Sequence, residues 1–486
     1  MASIASNELE VYVSRHSAPQ EYQPGRVRDV MATPAQINEA TAGRFGPEPE
    51  VAPERKSAEP PARWSPALRV AFRFCFVYFT LFSLSNQIFG GLIIIPKVDL
   101  PDLGALWPLR PITFWAARHV FHVTRTLVYT GSGSGDKTYD WVQVFCLLVI
   151  AIAITVVWSI LDRRRQNYVT LHKWFHLVMR FVLASEMLLY GLVKVVPLQM
   201  PFPPLTRLME PYGNFSPMAT LWYSVGASPV YEIFAGSAET LGGILLMIPR
   251  TATLGALVSL ADLTQVFALN MTYDVPVKLF SFHLILFSLF LLAPEARRFL
   301  TFFLSDRAVA PSVQPPLCRT PRANRVAVGL QVLFGVYLAG INIYGSIQSR
   351  REYGGARQKP SLYGIWNVDE MSIDGQIRSP LLTDYDRWRR VIFDFATYTE
   401  FERMDQTFGG FGSSINDKDK TLTLTKGDDK KWKAAFTFSG PAPDELILDG
   451  TMDGHKIRMQ LKLLDRNKLT LVSRGFHWIN EYPYVR

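Results

Sequence analysis

Cysteine is scarce in this chain: three in 486 residues. Cys75 and Cys146 lie inside apolar runs, Cys318 stands alone, and no C-x-x-C occurs. A disulfide framework, a thioredoxin-like redox pair and a cysteine-based zinc site are excluded on that arithmetic. Any redox chemistry would need a bound cofactor or a quinone. Near the N-terminus there is no apolar h-region, so no signal peptide is read there. In the soluble parts no basic run alternates with stacking aromatics, so nucleic acid is not expected as a partner.

Apolar and aromatic residues are abundant: 48% of the chain is hydrophobic, with 32 Phe, 19 Tyr and 11 Trp. Several apolar runs reach the ~18-residue length of a membrane span. The pattern predicts a membrane all-α bundle over 66–348. Its seven transmembrane helices are expected at about 67–95, 141–161, 172–196, 229–248, 251–270, 277–303 and 326–347. Residues 1–65 are rich in Pro, Glu, Ala, Ser and Arg and lack apolar periodicity, which predicts a disordered tail. The amphipathic stretch PLRPITFWAARHVFHVTRTLVY in the 96–140 loop reads as a helix on the membrane surface. The Pro-rich stretch 197–228 reads as a re-entrant or interfacial cap.

Residues 361–486 carry 18 Lys/Arg against 19 Asp/Glu, and residues 1–360 carry 33 against 23. The basic excess therefore belongs to the membrane part, where it signals orientation. Arg163, Arg164, Arg165 and Lys173 fall in one short loop, Arg250 in another, and Arg297, Arg298, Arg307, Arg319, Arg322 and Arg325 in a third. With seven spans all three loops share one side, the cytoplasmic side of a cell (inner) membrane, together with the N-terminal tail. The C-terminal domain is then extracytoplasmic.

That domain shows period-2 alternation in TLTLTK (421–426), WKAAFTF (432–438), KIRMQLKL (456–463) and KLTLVS (468–473), separated by turn residues such as Gly427-Asp428-Asp429 and Asp453-Gly454. Eight to ten strands fit there, which predicts a small antiparallel up-and-down β-barrel, lipocalin-like in pattern. The aromatic stretch from Gly475 to Tyr484, with its lone His477, reads as the last strand.

The chemistry concentrates in 172–196, HKWFHLVMRFVLASEMLLYGLVKVV. At ~100° per residue His172, His176, Arg180, Glu186, Tyr190 and Lys194 share a stripe roughly 120° wide. Polar groups within a bilayer are costly unless they face protein or a water-filled cavity, so this face should look into a bundle. The next spans offer Glu232, Glu239 and Asp262. Antiparallel packing allows Lys194–Glu232 and Arg180–Glu239 pairs. Such a network is either charge-paired glue that fixes helix register or a site for a proton, a quinone or a small anion. His172 and His176 have metal-ligand spacing but sit among interfacial aromatics, and no metal site is assigned.

Residues 172–303 resemble the DoxX-like family of four-helix membrane proteins. The matching features are Arg180 early in the first helix, Gly191-x-x-Lys194 at its end, a Pro-rich loop, then Glu232 and Glu239-x-x-Gly242-Gly243, followed by two apolar helices. The resemblance implies a quinone-linked redox or envelope-stress role with a membrane or periplasmic redox partner. Arg180 and Lys194 would hold carbonyl or anionic oxygens, Glu186 and Glu239 would pass or accept protons, and Tyr190, Glu232 and Asp262 would complete the site. A transporter or lipid-handling protein and a structural scaffold are the alternatives. A reporter fused after Arg486 is expected to signal from outside the cytoplasm; a cytoplasmic signal would overturn the odd number of spans.

Overall fold

The computed structural model describes residues 63–486, apart from 96–99, 131, 310, 312–315, 428 and 486. The tail predicted over 1–65 thus lies outside the described residues except for its last three. The helical part consists of α1 (Pro66–Ser85), α2 (Gln87–Leu92), α3 (Leu109–His119), α4 (Thr138–Leu161), α5 (Val169–Val195), α6 (Pro217–Gly226), α7 (Pro229–Met247), α8 (Ala252–Thr272), α9 (Lys278–Leu292), α10 (Ala296–Leu304) and α11 (Pro321–Glu352). Among the described residues seven segments are long and apolar enough to cross a membrane, and α9 and α10 together make one of them. This is a multi-pass membrane bundle.

The first span differs from the expectation of one helix over 67–95. Ser85 ends α1, and the Asn86 side chain accepts the Ile88 N–H (3.0 Å), capping a separate short helix α2. Asparagine competes with the helix for backbone partners and so favours such starts. The 96–140 loop does contain a helix, α3, packed on α4 through Ala116 and Ala117, with Trp115 on it and Trp107 just before it exposed.

At the centre stands α5. Its residues Met179 through Leu188 are buried all round, so the helix is a core element rather than one with a single inward stripe. It packs along α7, which packs on α8, and α8 on α9. The α5–α7 contact is backbone-close. A Cβ on Gly191 would come within 2.6 Å of the Thr240 nitrogen, and one on Gly236 within 2.6 Å of the Gly191 carbonyl oxygen and 2.5 Å of Lys194 Cβ. Small residues at facing positions are what allow membrane helices this approach.

Nine strands follow: β1 (Gly364–Ile373), β2 (Gln376–Ile377), β3 (Trp388–Phe395), β4 (Tyr398–Arg403), β5 (Phe408–Asn416), β6 (Thr421–Lys426), β7 (Asp429–Ser439), β8 (Glu445–Met452) and β9 (His455–Leu463). Eight of them form a closed antiparallel barrel in sequence order, sealed by β1 pairing with β9 (Trp366 opposite Leu463), and β2 is a two-residue annex to β1. Period-2 alternation does the sorting. In TLTLTK, Leu422 and Leu424 enter the core while the threonines lie outside it. The interior is filled by Met371, Trp388, Phe393, Phe401, Phe436, Met459 and their neighbours.

Closure at β9 corrects the expected last strand. KLTLVS forms a 3-10 turn (Arg466–Lys468) and a short helix α12 (Thr470–Ser473), and residues 474–485 carry no strand. With β1 already paired on both sides, no barrel edge remained for another strand.

The 197–228 segment becomes the junction between bundle and barrel. Leu205 is buried with Ile365 and Ile392, flanked by Leu208, Met209, Tyr363 and Leu464. The Leu205 N–H donates to Asp394 Oδ2 (2.8 Å), Asp394 also takes Arg357, and the Thr206 hydroxyl donates to Glu400. Replacing Gly236 with Leu should force α5 and α7 apart and cost roughly 2 kcal/mol or more. Gly329, whose Cβ position is open, should accept Ala without loss. Thermal unfolding of the detergent-solubilised protein checks both.

Candidate functional site

The sequence names seven side chains, and the fold divides them. Five line one cavity of about 300 Å³ between α5, α7, α8 and α9: Glu186, Tyr190, Lys194, Glu239 and Asp262. Arg180 and Glu232 are used elsewhere.

Close α5–α7 packing determines the pairing. Lys194 sits one turn beyond Gly191, and its Nζ reaches both oxygens of Glu239 at 2.5 and 2.6 Å. Both side chains are over 90% buried. The Lys194–Glu232 and Arg180–Glu239 pairs expected from span position alone are therefore not formed. Glu232, fully buried, instead accepts the Met200 N–H through Oε1 (2.8 Å) and holds the start of the junction segment. Arg180 donates to the Leu246 and Met247 carbonyls (2.8 and 3.1 Å) at the end of α7 and to the Gln331 side chain of α11 (3.0 Å). Carbonyls in the last helical turn have no intrahelical partner, and an arginine satisfies them. Arg180 is a cap that ties three helices together and is not part of the cavity lining.

Glu186 is wholly buried. Its Oε2 takes a hydrogen bond from the Gln87 side-chain amide (3.2 Å), which also donates to the Tyr190 hydroxyl (2.7 Å). Its Oε1 has no hydrogen-bond partner among the described residues, and neither has Asp262 Oδ2. A Cβ on Gly91 would lie 2.9 Å from that Oε1, so the short helix α2 closes directly over the carboxyl.

Sequence reasoning missed Gln87, because a single 67–95 helix gives no reason for it to turn toward α5. Asn86 before it, a good capping residue, was the available signal. Also missed were Gln199 and Trp222 of the junction segment and the Asn270–Ser281 pair (Nδ2 to Oγ, 3.0 Å), all in the lining.

The cavity thus carries three carboxyl groups and one ammonium, and the ammonium is engaged by Glu239. Tyr190, Trp222, Tyr231, Phe280, Met187 and Leu284 make the rest of its wall largely apolar and aromatic. An ionised carboxylate buried without a cation is costly. Glu186 and Asp262 are therefore matched to a proton or to a proton-bearing ligand, and the arrangement disfavours the small anion considered from sequence. His172 packs against Trp64, Phe72 and Phe290, and His176 bonds the Leu291 carbonyl (3.2 Å). Among the described residues no group of three His, Cys, Asp or Glu could hold a metal ion.

Fold and site together define a multi-pass membrane protein with an acidic, largely apolar cavity inside its helical bundle and a filled β-barrel joined to one end. The chain belongs to the family of the uncharacterized protein YwoB of Bacillus subtilis (strain 168). It is 36% identical to that protein over 127 residues, which cover 80% of YwoB and 26% of this chain. No family model matches the chain, and no solved structure matches it.

Removing one member of a buried pair strands the other, at a cost of about 3–5 kcal/mol. Because Glu186 and Asp262 remain to face a stranded ammonium, Glu239→Gln should destabilise less than Lys194→Met, which leaves three carboxyls and no cation. The double variant should lose less than the sum of the two. Melting temperatures of the four proteins in one detergent decide it; a Lys194→Met variant as stable as wild type would refute the pairing.

Proposed function

We propose that this protein binds a small lipophilic molecule in the intramembrane cavity and exchanges protons with it, and that the molecule is a quinone. The observation that carries the reading is the buried Glu186 carboxyl, with one oxygen unpartnered, on the wall of a cavity that is largely aromatic and aliphatic with a few polar groups. Ligand sites of this kind combine an apolar wall with a few fixed polar groups. The DoxX-like resemblance of 172–303 points the same way.

The residues present suit a quinone head group. Tyr190 and Lys194 supply donors for carbonyl oxygens, Glu186 and Asp262 supply carboxyls that carry or take protons, and Trp222 and Phe280 offer ring faces. A bound quinone supplies the electron chemistry, since it takes up two electrons with two protons. The chain's own part is to orient the ring and hold the protons. Gln87 fixes the Glu186 carboxyl and the Tyr190 hydroxyl in one geometry, and Glu239 holds Lys194 in place. Electrons would come from a membrane or periplasmic partner. In this reading the Arg-bearing loops are cytoplasmic and the barrel is extracytoplasmic, on the side of the cavity closed by the junction segment.

Mass spectrometry of small molecules co-purifying with the protein from membranes tests the proposal. A quinone is expected in the wild-type preparation and at least tenfold less of it with Glu186→Leu or Lys194→Met, at equal yields of folded protein. Substrate-dependent labelling of a cysteine placed at Tyr190, with no quinone bound, would favour a transporter. Variants that lower only the melting temperature would favour a scaffold.

A further inference from the structure

The barrel seals at β9, yet the chain continues through residues 464–485, and this stretch exposes several large apolar side chains. Phe476, Trp478, Ile479, Tyr482 and Val485 are between 75% and 90% exposed. The segment is folded on itself: Arg474 donates to the Asn480 side chain (2.7 Å), Asn480 donates to the His477 carbonyl (3.1 Å), and the Arg474 guanidinium lies 4.1 Å from the centre of the Tyr484 ring. The apolar side chains are thus displayed from an ordered loop.

Register says where that loop emerges. Strand β1 begins just after α11, the last membrane-length helix, so its start is the end of the barrel nearest the bundle. Strand β9 is antiparallel to it and ends opposite that start, Leu463 facing Trp366. Leu464 is already in the junction cluster with Leu205, Leu208 and Met209, and Arg466 donates to Tyr363 at the same end. The segment therefore leaves the barrel at the level where the membrane helices end.

Its chemistry suits the polar–apolar boundary of a bilayer. Trp and Tyr concentrate there because an apolar ring carries a polar tip. Residues 464–485 hold Arg466, Lys468 and Arg474 against Asp465 and Glu481, a small excess that lipid phosphates attract. Irregular backbone cannot enter hydrocarbon, but it is tolerated among headgroups. By contrast, the exposed Ile377, Leu381, Leu382 and Tyr385 lie at or beyond the β1–β2 turn, at the end of the barrel away from the bundle.

We infer that residues 474–485 are a membrane-interface anchor: Phe476, Trp478, Ile479 and Tyr482 insert into the headgroup layer of the bilayer that the chain's own helices cross, and they hold the barrel against it. This does not depend on what the cavity binds.

The test uses the full chain with Cys75, Cys146 and Cys318 replaced by Ala, in nanodiscs of mixed zwitterionic and anionic phospholipid. A nitroxide is placed at Trp478→Cys or, as the distal control, at Leu382→Cys. The oxygen-to-nickel-chelate accessibility ratio at 478 should be several-fold above that at 382. Equal ratios would overturn the inference, and so would short-range dipolar coupling between labels at 478, which would put a second copy there. A second measurement keeps all native cysteines. Phospholipid brominated near the headgroup should quench wild-type tryptophan fluorescence more than that of Trp478→Phe; equal quenching would count against the anchor.

Discussion

The ion pair between Lys194 and Glu239 exists because two helices touch backbone to backbone. Gly191 and Gly236 remove the side chains that would stand between α5 and α7, and at that separation a lysine one turn along can lay its ammonium across the whole carboxylate. In a medium that cannot solvate either ion, this contact has a strong consequence. It consumes the cavity's cation and leaves Glu186 and Asp262 as the lining carboxyls that no ion pair answers. The character of the site follows from where the single lysine is spent.

The remaining intramembrane charges settle into structural work. Arg180 satisfies the carbonyls that end α7 and reaches α11, and Glu232 fixes Met200 at the head of the junction segment. That segment in turn carries Leu205 and Thr206 to β3 and β4. One continuous set of contacts therefore runs from the cavity roof, where Gln199 and Met200 are lining residues, to the barrel wall. The barrel is filled with side chains and docks on the bundle through the Leu205, Ile365 and Ile392 cluster.

A good part of this was legible without coordinates. Seven spans, the core position of 172–196 and a small antiparallel barrel follow from apolar run length and from period-2 alternation, because burial imposes those patterns directly. Five of seven proposed site residues do meet in one cavity. The errors have a common cause. Angular position on a helix says which face a residue occupies, but pairing depends on axial offset and helix separation, and these are set by glycines on both partners. Lys194 therefore chose Glu239 over Glu232. Likewise, KLTLVS has a strand's alternation and lacks only an available edge.

Local composition by itself determined the membrane-length helices, the alternating strands and the polar stripe of α5, since each records the burial of one element along its own axis. Only the tertiary structure decided which charges meet. It broke the first span at Asn86 so that Gln87 faces Glu186, brought α5 and α7 close enough for one ion pair and not the others, and closed the barrel before the chain ended. Each of these depends on distances between elements remote in sequence, which no periodicity encodes.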